Sequence, residues 1–307
     1  MKHIKEEVTT LEEPIQNNHK TLKIILLVLG VIVLFVTSVL LYSRYIGTSG
    51  LYIKEYKITN SNIPESMHGL KIVHISDIHY GRITFEKELQ RLVEKVNLVK
   101  PDIIIFSGDL IDKDTKLTGE MADQISSILK EMHATIGKYA IKGNHDDPFE
   151  QWDFILENSD FIDLDDTYDT IYKESNEYIL LTGVSTNLHG EQKIEEKIAS
   201  TEQYLESITD ETLKPKYKIL VLHEPDFIDD IDIDTFDLVL AGHSHNGQVS
   251  LPIIGPIWLP PGCKKYYKPY YKVNKTDLYI SSGIGTSSIN FRLFNRPSFN
   301  LYRLTNY

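Results

Sequence analysis

Five short apolar runs in the sequence each end in a cluster containing Asp, Asn or His. Such runs are typical of buried strands. In α/β sheets the loops beyond the carboxyl ends of the strands converge, so we expect the five clusters to meet at one place. In chain order, the runs and their clusters are 70–75 with Asp77 and His79, 103–106 with Gly108 and Asp109, 138–141 with 143–146, 218–222 with His223, and 238–240 with 242–245.

Helical spacing of apolar residues appears between several of these runs. Residues 84–99 predict a helix with Thr84 as its N-cap and Pro101 beyond its end. Residues 118–133 and 191–207 predict two further helices. Further strands are predicted at 178–184 and within the C-terminal tail. This alternation of strands and helices predicts an α/β fold large enough for one core.

The N-terminal segment 22–42 is apolar on every face, and residues 24–41 contain no charge. About 20 helical residues span a hydrocarbon core roughly 30 Å thick. A buried helix of this length is rarely apolar all round, and a cleaved secretory signal has a shorter apolar stretch. Ser43-Arg44-Tyr45 is also a poor cleavage site. We therefore interpret the segment as an uncleaved transmembrane anchor, with a cleaved signal as the alternative.

The anchor defines the predicted domain organisation. The segments are an N-terminal cytoplasmic tail at 1–21, the anchor at 22–42, a linker with a first strand at 43–69, and one large domain at 70–307. Four lysines precede the span, and three basic residues follow it closely. This positive-inside bias predicts a single-pass protein of the cell membrane whose large domain is extracytoplasmic.

Composition excludes several classes of protein. The net charge of −12 repels polyanions, so long nucleic acid is not an expected partner. The single cysteine, Cys263, excludes an intrachain disulfide framework and a cysteine-based structural zinc site. The sequence leaves the oligomeric state open.

The strand-end clusters contain the residue types that bind metal ions. At an extended strand end, positions i and i+2 face the same side, so Asp77 and His79 can share one cation. The carboxylate of Asp109 has two oxygens and can bridge two cations. Each cluster alone is more often a turn or a structural residue. Together they require five independent structural explanations, which favours metal binding, and imidazole with carboxylate suits Mn, Fe or Zn.

The motifs in order are Asp77-x-His79, Gly108-Asp109, Gly143-Asn144-His145-Asp146, His223 and Gly242-His243-x-His245. This set resembles the calcineurin-like metallophosphoesterase superfamily. The longer form 241–248 and the glycine-rich segment 283–287 resemble its bacterial membrane-associated phosphodiesterase branch. The resemblance implies two packed β-sheets flanked by helices, an αββα sandwich.

The resemblance also implies two divalent metal ions per chain. The first ion would be held by Asp77, His79, Asp109 and His245. The second would be held by Asp109, Asn144, His223 and His243, so Asp109 is shared. Two such cations, about 3.5–4 Å apart, clamp the attacking and leaving oxygens of phosphoryl transfer, and a hydroxide bridging them is the expected nucleophile.

Three other side chains have predicted roles around this site. His145 is predicted to stabilise the developing charge and to protonate the leaving group. Asp146 is predicted to orient His145, with a helix N-cap as the alternative. Arg292 is a candidate for binding a phosphate oxygen of the substrate, with a surface salt bridge as the alternative.

The predicted function is metal-dependent hydrolysis of a phosphodiester. The substrate would be a small diester, a lipid headgroup or a wall-polymer phosphate near the bilayer to which the anchor attaches the chain. A phosphomonoesterase with the same site is the second candidate. A membrane-tethered metal-binding or scaffold protein without activity is the alternative from another class, and the presence of every expected ligand argues against it.

Overall fold

The computed structural model describes residues 16–147, 149–188 and 192–307. The chain divides into two units between Tyr42 and Ser43. Most of the predicted tail, residues 1–15, lies outside the described residues. The described helices are α1 (Gln16–Leu41), α2 (Glu86–Val99), α3 (Gly119–Lys130), α4 (Trp152–Asn158), α5 (Ile194–Lys197) and α6 (Ala199–Ser207).

The N-terminal helix is long and apolar enough to cross a membrane. α1 continues into a π-helical turn, Tyr42–Ile46, and the candidate span covers His19–Ile46, 28 residues. None of its most apolar window is buried. An apolar helix that is exposed on all faces is suited to lipid as its solvent.

Fourteen strands are described in the second unit. They are β1 (Tyr52–Thr59), β2 (Lys71–Ile75), β3 (Ile103–Phe106), β4 (Gly137–Ala140), β5 (Ile162–Asp163), β6 (Thr167–Tyr172), β7 (Tyr178–Val184), β8 (Tyr217–Leu222), β9 (Leu238–Ala241), β10 (Ser250–Leu251), β11 (Gly255–Pro256), β12 (Tyr270–Val273), β13 (Thr276–Ile280) and β14 (Ser298–Thr305).

Twelve of these strands form two mixed six-stranded sheets. The first has the order β1-β14-β2-β3-β4-β5, and the second has the order β12-β13-β9-β8-β7-β6. The strands that precede the polar clusters, β2 to β4 and β8 with β9, run parallel within their sheets. Their carboxyl ends therefore lie at one edge of each sheet. The short strands β10 and β11 form a separate hairpin.

Alternating side chains of the strands build the layers of the sandwich. Ile72 and Ile103 pack in the core between the two sheets, together with Ile219 of the second sheet. Val73, one residue along β2, packs on the opposite face with Leu89 of α2. A third apolar layer covers the outer face of the second sheet. The predicted αββα sandwich is thus confirmed.

Helix ends depart from the predictions in three places. α3 ends at Lys130, three residues before the predicted end. α2 begins at Glu86, and its N-cap is Phe85, whose N–H donates to the Glu88 carboxylate at 3.2 Å, so Thr84 as N-cap is wrong. The predicted helix at 191–207 is two short helices, α5 and α6, and Glu191 lies outside the described residues. The five predicted strands agree with β2, β3, β4, β8 and β9 to within one residue at each end.

Candidate metal centre

The side chains that follow β2, β3, β8 and β9 converge at the ends of the two sheets. His245 Nε2 lies 3.4 Å from Asp77 Oδ1 and 3.1 Å from His79 Nε2. Two buried imidazole nitrogens this close require a proton or a cation between them. Asp77, His79 and His245 form one group of converging metal-type ligands, and Asp109, His223 and His243 form another.

Asp109, a member of the second group, also lies close to the first group. Its Oδ2 atom is 3.5 Å from His79 Nε2 and 3.3 Å from His223 Nε2. Ligand atoms about 2.0–2.2 Å from one ion are roughly 3–3.5 Å from each other. One carboxylate oxygen is therefore at ligand spacing from both groups, as a shared ligand requires. The second oxygen, Oδ1, accepts a hydrogen bond from the His145 amide at 2.8 Å.

Hydrogen bonds on the far side of the histidine rings determine which nitrogen is available. His223 Nδ1 lies 2.6 Å from the Ser107 carbonyl, and His243 Nε2 lies 2.8 Å from the Pro261 carbonyl. Both contacts require the ring N–H to donate, so in the neutral rings the lone pairs are on His223 Nε2 and His243 Nδ1.

Three buried atoms at the centre have no hydrogen-bond partner: His79 Nδ1, His223 Nε2 and Asn144 Oδ1. Of these, His223 Nε2 and Asn144 Oδ1 belong to the candidate ligands of the same ion. An unpaired buried polar atom is costly, and a cation in contact with these two atoms would remove the cost. The residues present therefore fit the divalent cations that the sequence predicts.

The electrostatics of the centre favour bound positive charge. Burial raises the pKa of Asp109 and lowers that of His223, but the attraction between the two side chains outweighs burial. The pKa of Asp109 consequently lies well below its usual range, and the pKa of His223 lies well above. An ionised, buried carboxylate that holds a proton on its neighbour can also hold a metal cation in place of that proton.

Five of the predicted ligands adopt a left-handed backbone conformation. The φ angles of Asp77, His79, Asp109, His243 and His245 are 51°, 48°, 62°, 63° and 46°. Non-glycine residues in this region cost of order 1–3 kcal/mol each and cluster at functional sites. The expectation of an extended strand end, with i and i+2 on one side, is therefore wrong. The side chains converge because the backbone turns after each strand.

Glycine permits the close approach of two of these loops. A Cβ atom on Gly143 would lie 2.3 Å from Asp109 Oδ1 and 2.8 Å from His223 Cε1. A Cβ atom on Gly108, which has a φ of 95°, would lie 2.4 Å from the Gly143 amide nitrogen. Any side chain at these two positions would separate the loop after β3 from the loop after β4.

Asp146 holds these loops together instead of orienting His145. Its carboxylate accepts hydrogen bonds from the amides of Asp109, Leu110, Ile111 and Gly143 at 2.6 to 3.1 Å. The predicted contact with the His145 ring is wrong, because both carboxylate oxygens bind backbone amides. Asp146 is not a helix N-cap either, since the next helix, α4, begins at Trp152.

His145 lies beside the centre with its ring on the cavity wall. Its Nδ1 atom accepts a hydrogen bond from the Lys113 amide at 3.1 Å, so the proton of the neutral ring is on Nε2. Burial lowers the pKa of His145 to about 4, although the Asp109 carboxylate acts in the opposite direction. The neutral ring is therefore placed to donate a hydrogen bond.

Arg292 is neither a surface residue nor a substrate contact in this structure. The side chain is fully buried, and its guanidinium lies 3.1 Å from His245 Nδ1. It also donates to the carbonyl oxygens of Gly283 and Gly285 in the glycine-rich turn. Both sequence interpretations of Arg292 are therefore wrong. The side chain fixes this turn behind His245.

Asp112 belongs to the centre, and the sequence interpretation missed it. The buried carboxylate lies 3.6 Å from His79 Nδ1 and 3.9 Å from His145 Nδ1. His145 Nδ1 already accepts from the Lys113 amide, so Asp112 acts on His79: a nearby carboxylate favours a proton on Nδ1 and leaves Nε2 for a metal ion. Asp112 follows Asp109 by three residues, but no strand end marks it. Its proximity to Asp109 is the only sequence signal.

A cavity of about 310 Å³ opens onto the centre. Asp109, Asn144, His145, His243 and His245 contribute to its lining. A molecule in this cavity can therefore reach both ligand groups and the His145 ring. The other three candidate ligands, Asp77, His79 and His223, do not line the cavity but lie within 3.1 to 3.5 Å of His245 or Asp109. Asp146 and Arg292 support the loops.

Comparisons with known proteins identify the family of the chain. The sequence model of the calcineurin-like phosphoesterase family matches residues 70–247. The chain is similar to the uncharacterized metallophosphoesterase YkuE of Bacillus subtilis, with 27% identity over 86% of this chain and 88% of that protein. It is also similar to a transmembrane protein with metallophosphoesterase domain of Danio rerio, with 26% identity over 87% of this chain and 60% of that protein.

Among solved structures, TT1561 of Thermus thermophilus aligns with a TM-score of 0.46 and 12% identity, covering 70% of this chain and 90% of that chain. The family match extends over more than half of the sequence and includes the strand-end motifs from Asp77 to His245. The chain therefore belongs to the calcineurin-like phosphoesterase family.

Proposed function

We propose that the protein is a membrane-associated, metal-dependent phosphodiesterase. The observation that carries the proposal is the convergence of two ligand groups on Asp109 Oδ2, beside buried atoms that have no other partner. Asp77, His79, Asp109 and His245 would hold one divalent cation, and Asp109, Asn144, His223 and His243 the other. Mn, Fe or Zn in these positions would supply Lewis acidity, which lowers the pKa of water and neutralises phosphoryl oxygens.

The protein's own residues would orient the substrate and stabilise its charge. In the hydrolysis, a water oxygen forms a bond to phosphorus, the bond to the leaving oxygen breaks, and the leaving oxygen takes a proton. His145 would donate a hydrogen bond from Nε2 to a phosphoryl oxygen, because its Nδ1 is held by the Lys113 amide. Protonation of the leaving oxygen by His145 stays a prediction.

The charge of the cavity favours a diester over a monoester. Among the described lining residues, Lys113 is the one lysine or arginine. A phosphodiester carries one negative charge near neutral pH, whereas a monoester carries close to two. The candidate metal ions would attract either ester, but beyond them the cavity has a single such cation and mainly apolar walls, which supports the ester of lower charge.

The proposal is tested by elemental analysis and turnover of the purified full chain. We expect divalent metal, and faster release of nitrophenol from bis(4-nitrophenyl) phosphate than from 4-nitrophenyl phosphate. Asp109→Asn should lose metal and lower turnover at least about 100-fold, since it removes the shared anionic ligand. Asp160→Asn is the matched control, because Asp160 is exposed and has a similar φ of 59°. A metal-loaded protein that hydrolyses neither ester would refute the proposal.

A further inference from the structure

The walls of the cavity differ in character from its floor. The floor carries the carboxylate, amide and imidazole groups of the candidate centre. The remaining walls include five apolar side chains, which we call the apolar rim: Leu188, Val249, Ile257, Trp258 and Ile289. A phosphate group alone uses none of these walls. A molecule that fills the cavity must therefore have a polar part and an apolar part.

The apolar rim remains exposed to solvent to an unusual degree. Ile257, Trp258 and Ile289 are 64%, 58% and 52% exposed. Val249 and Ile257 flank the β10–β11 hairpin in the chain, and this hairpin carries two further exposed apolar side chains: Ile253 is fully exposed and Ile254 is 78% exposed. Exposed apolar side chains grouped around one cavity mark a binding surface.

Basic groups accompany the apolar rim, although the chain as a whole is acidic. The Lys264 ammonium lies 5.6 Å from the centre of the Trp258 ring, and Lys113 lines the cavity. Tryptophan with lysine is the combination found where proteins meet the boundary of lipid and water. The candidate membrane span in the same chain places the protein where lipids are abundant.

We infer that the apolar rim binds the hydrocarbon chain of a membrane lipid whose phosphodiester lies at the candidate metal centre. The inference rests on the proposed function and adds the class of substrate. The apolar rim and the candidate metal centre line the same cavity, so a single amphipathic molecule can contact both.

The hydrolysis test compares two diesters that share one leaving group, 4-nitrophenyl methyl phosphate and 4-nitrophenyl decyl phosphate. The full chain in detergent is compared with Ile257→Ser/Ile289→Ser, and Leu98→Ser/Leu213→Ser is the control. Leu98 and Leu213 are 77% and 63% exposed and do not line the cavity. For each ester, kcat/KM of the variant is divided by kcat/KM of the wild type, which cancels the partition of that ester into micelles.

We expect kcat/KM of the rim variant to fall at least about tenfold more on the decyl ester than on the methyl ester. The control variant should keep the wild-type kcat/KM on both esters.

A binding test needs no turnover. The chain has two tryptophans, and Trp152 is 3% exposed, so quenching by acrylamide reports mainly on Trp258. Decylphosphonate should lower the quenching constant at least about twofold, whereas methylphosphonate should not.

The two tests separate the possible failures. Protection by decylphosphonate without hydrolysis of either ester would refute the proposed function and leave the lipid-binding rim in place. If the wild type hydrolyses both esters, the rim variant loses kcat/KM equally on both, and decylphosphonate does not protect Trp258, the inference is overturned and the proposed function stands. Protection of Trp258 that depends on protein concentration and not on decylphosphonate would assign the rim to a second copy of the chain, which also overturns it.

Discussion

Adjacent residues in the loop after β4 have different tasks. The His145 ring faces the cavity, whereas the Asp146 carboxylate accepts four backbone hydrogen bonds from two loops. A side chain that binds so many amides determines where the loops lie. A ring on the cavity wall can act on a substrate. Substitutions at the two positions should therefore have distinguishable effects.

Asp146→Asn is expected to lower the free energy of unfolding by about 2–4 kcal/mol, because the amide nitrogen of Asn cannot accept from backbone N–H groups. His145→Gln should change stability little and lower kcat by roughly 10²-fold or more. Denaturant titration and steady-state kinetics of both variants check this. Loss of kcat in Asp146→Asn at wild-type stability and metal content would instead indicate direct participation of Asp146.

At the level of residues, the sequence predicts the types and positions of the candidate ligands but not how they are supported. The left-handed φ angles depend on loops that pass close to each other, as at Gly143. Asp112 belongs to the site because the fold brings its carboxylate to within 3.6 Å of His79 Nδ1, a proximity that the spacing of residues in the sequence does not predict. Arginine is seldom fully buried, so composition gives no reason to place Arg292 inside the fold.

At the level of elements, Asp165 connects the end of β5 to the segment that leads from β4 to Asn144. Its carboxylate accepts from the Lys142 amide at 2.8 Å and lies 3.5 Å from the Lys142 ammonium. Burial, followed by the neighbouring Asp163, raises the pKa of Asp165 from 3.8 to about 7. The native state consequently binds a proton here that the unfolded chain releases at lower pH.

The raised pKa has a predictable effect on stability. Between about pH 4 and pH 7 the folded state binds more protons at Asp165 than the unfolded state, so this contribution to stability is lost as the pH rises. Asp165→Asn removes that dependence. The Tm of the variant relative to wild type should therefore be higher at pH 8 than at pH 5. A difference in Tm between variant and wild type that is the same at pH 5 and pH 8 would contradict the raised pKa of Asp165.

The strands differ in how well the sequence predicts them. β2, β3, β8 and β9 are short apolar runs whose residues are buried on both faces, so their signal is strong. β6 lies at the edge of its sheet, and four of its six residues are only half-buried. The pairing of β14 between β1 and β2 depends on contacts distant in sequence, which local patterns do not contain.

At the level of the molecule, the apolar helix and the body divide between Tyr42 and Ser43. We expect the full chain to remain in carbonate-washed membranes and a chain beginning at Ser43 to leave them. The shortened chain should keep its metal and its hydrolysis of 4-nitrophenyl methyl phosphate, because every candidate ligand lies beyond Ser43. Sedimentation with elemental analysis checks this. A shortened chain that stays in the washed membranes would show that the body itself is embedded.

The place of β14 in the first sheet bears on biosynthesis. β14 pairs with β1 on one side and with β2 on the other, so both of these strands lack a partner until residues 298–305 have been synthesised. A nascent polypeptide cannot complete this sheet until the ribosome has released residues 298–305. Chaperones that shield unpaired strands are therefore most needed before residues 298–305 emerge, while β1 and β2 are already exposed.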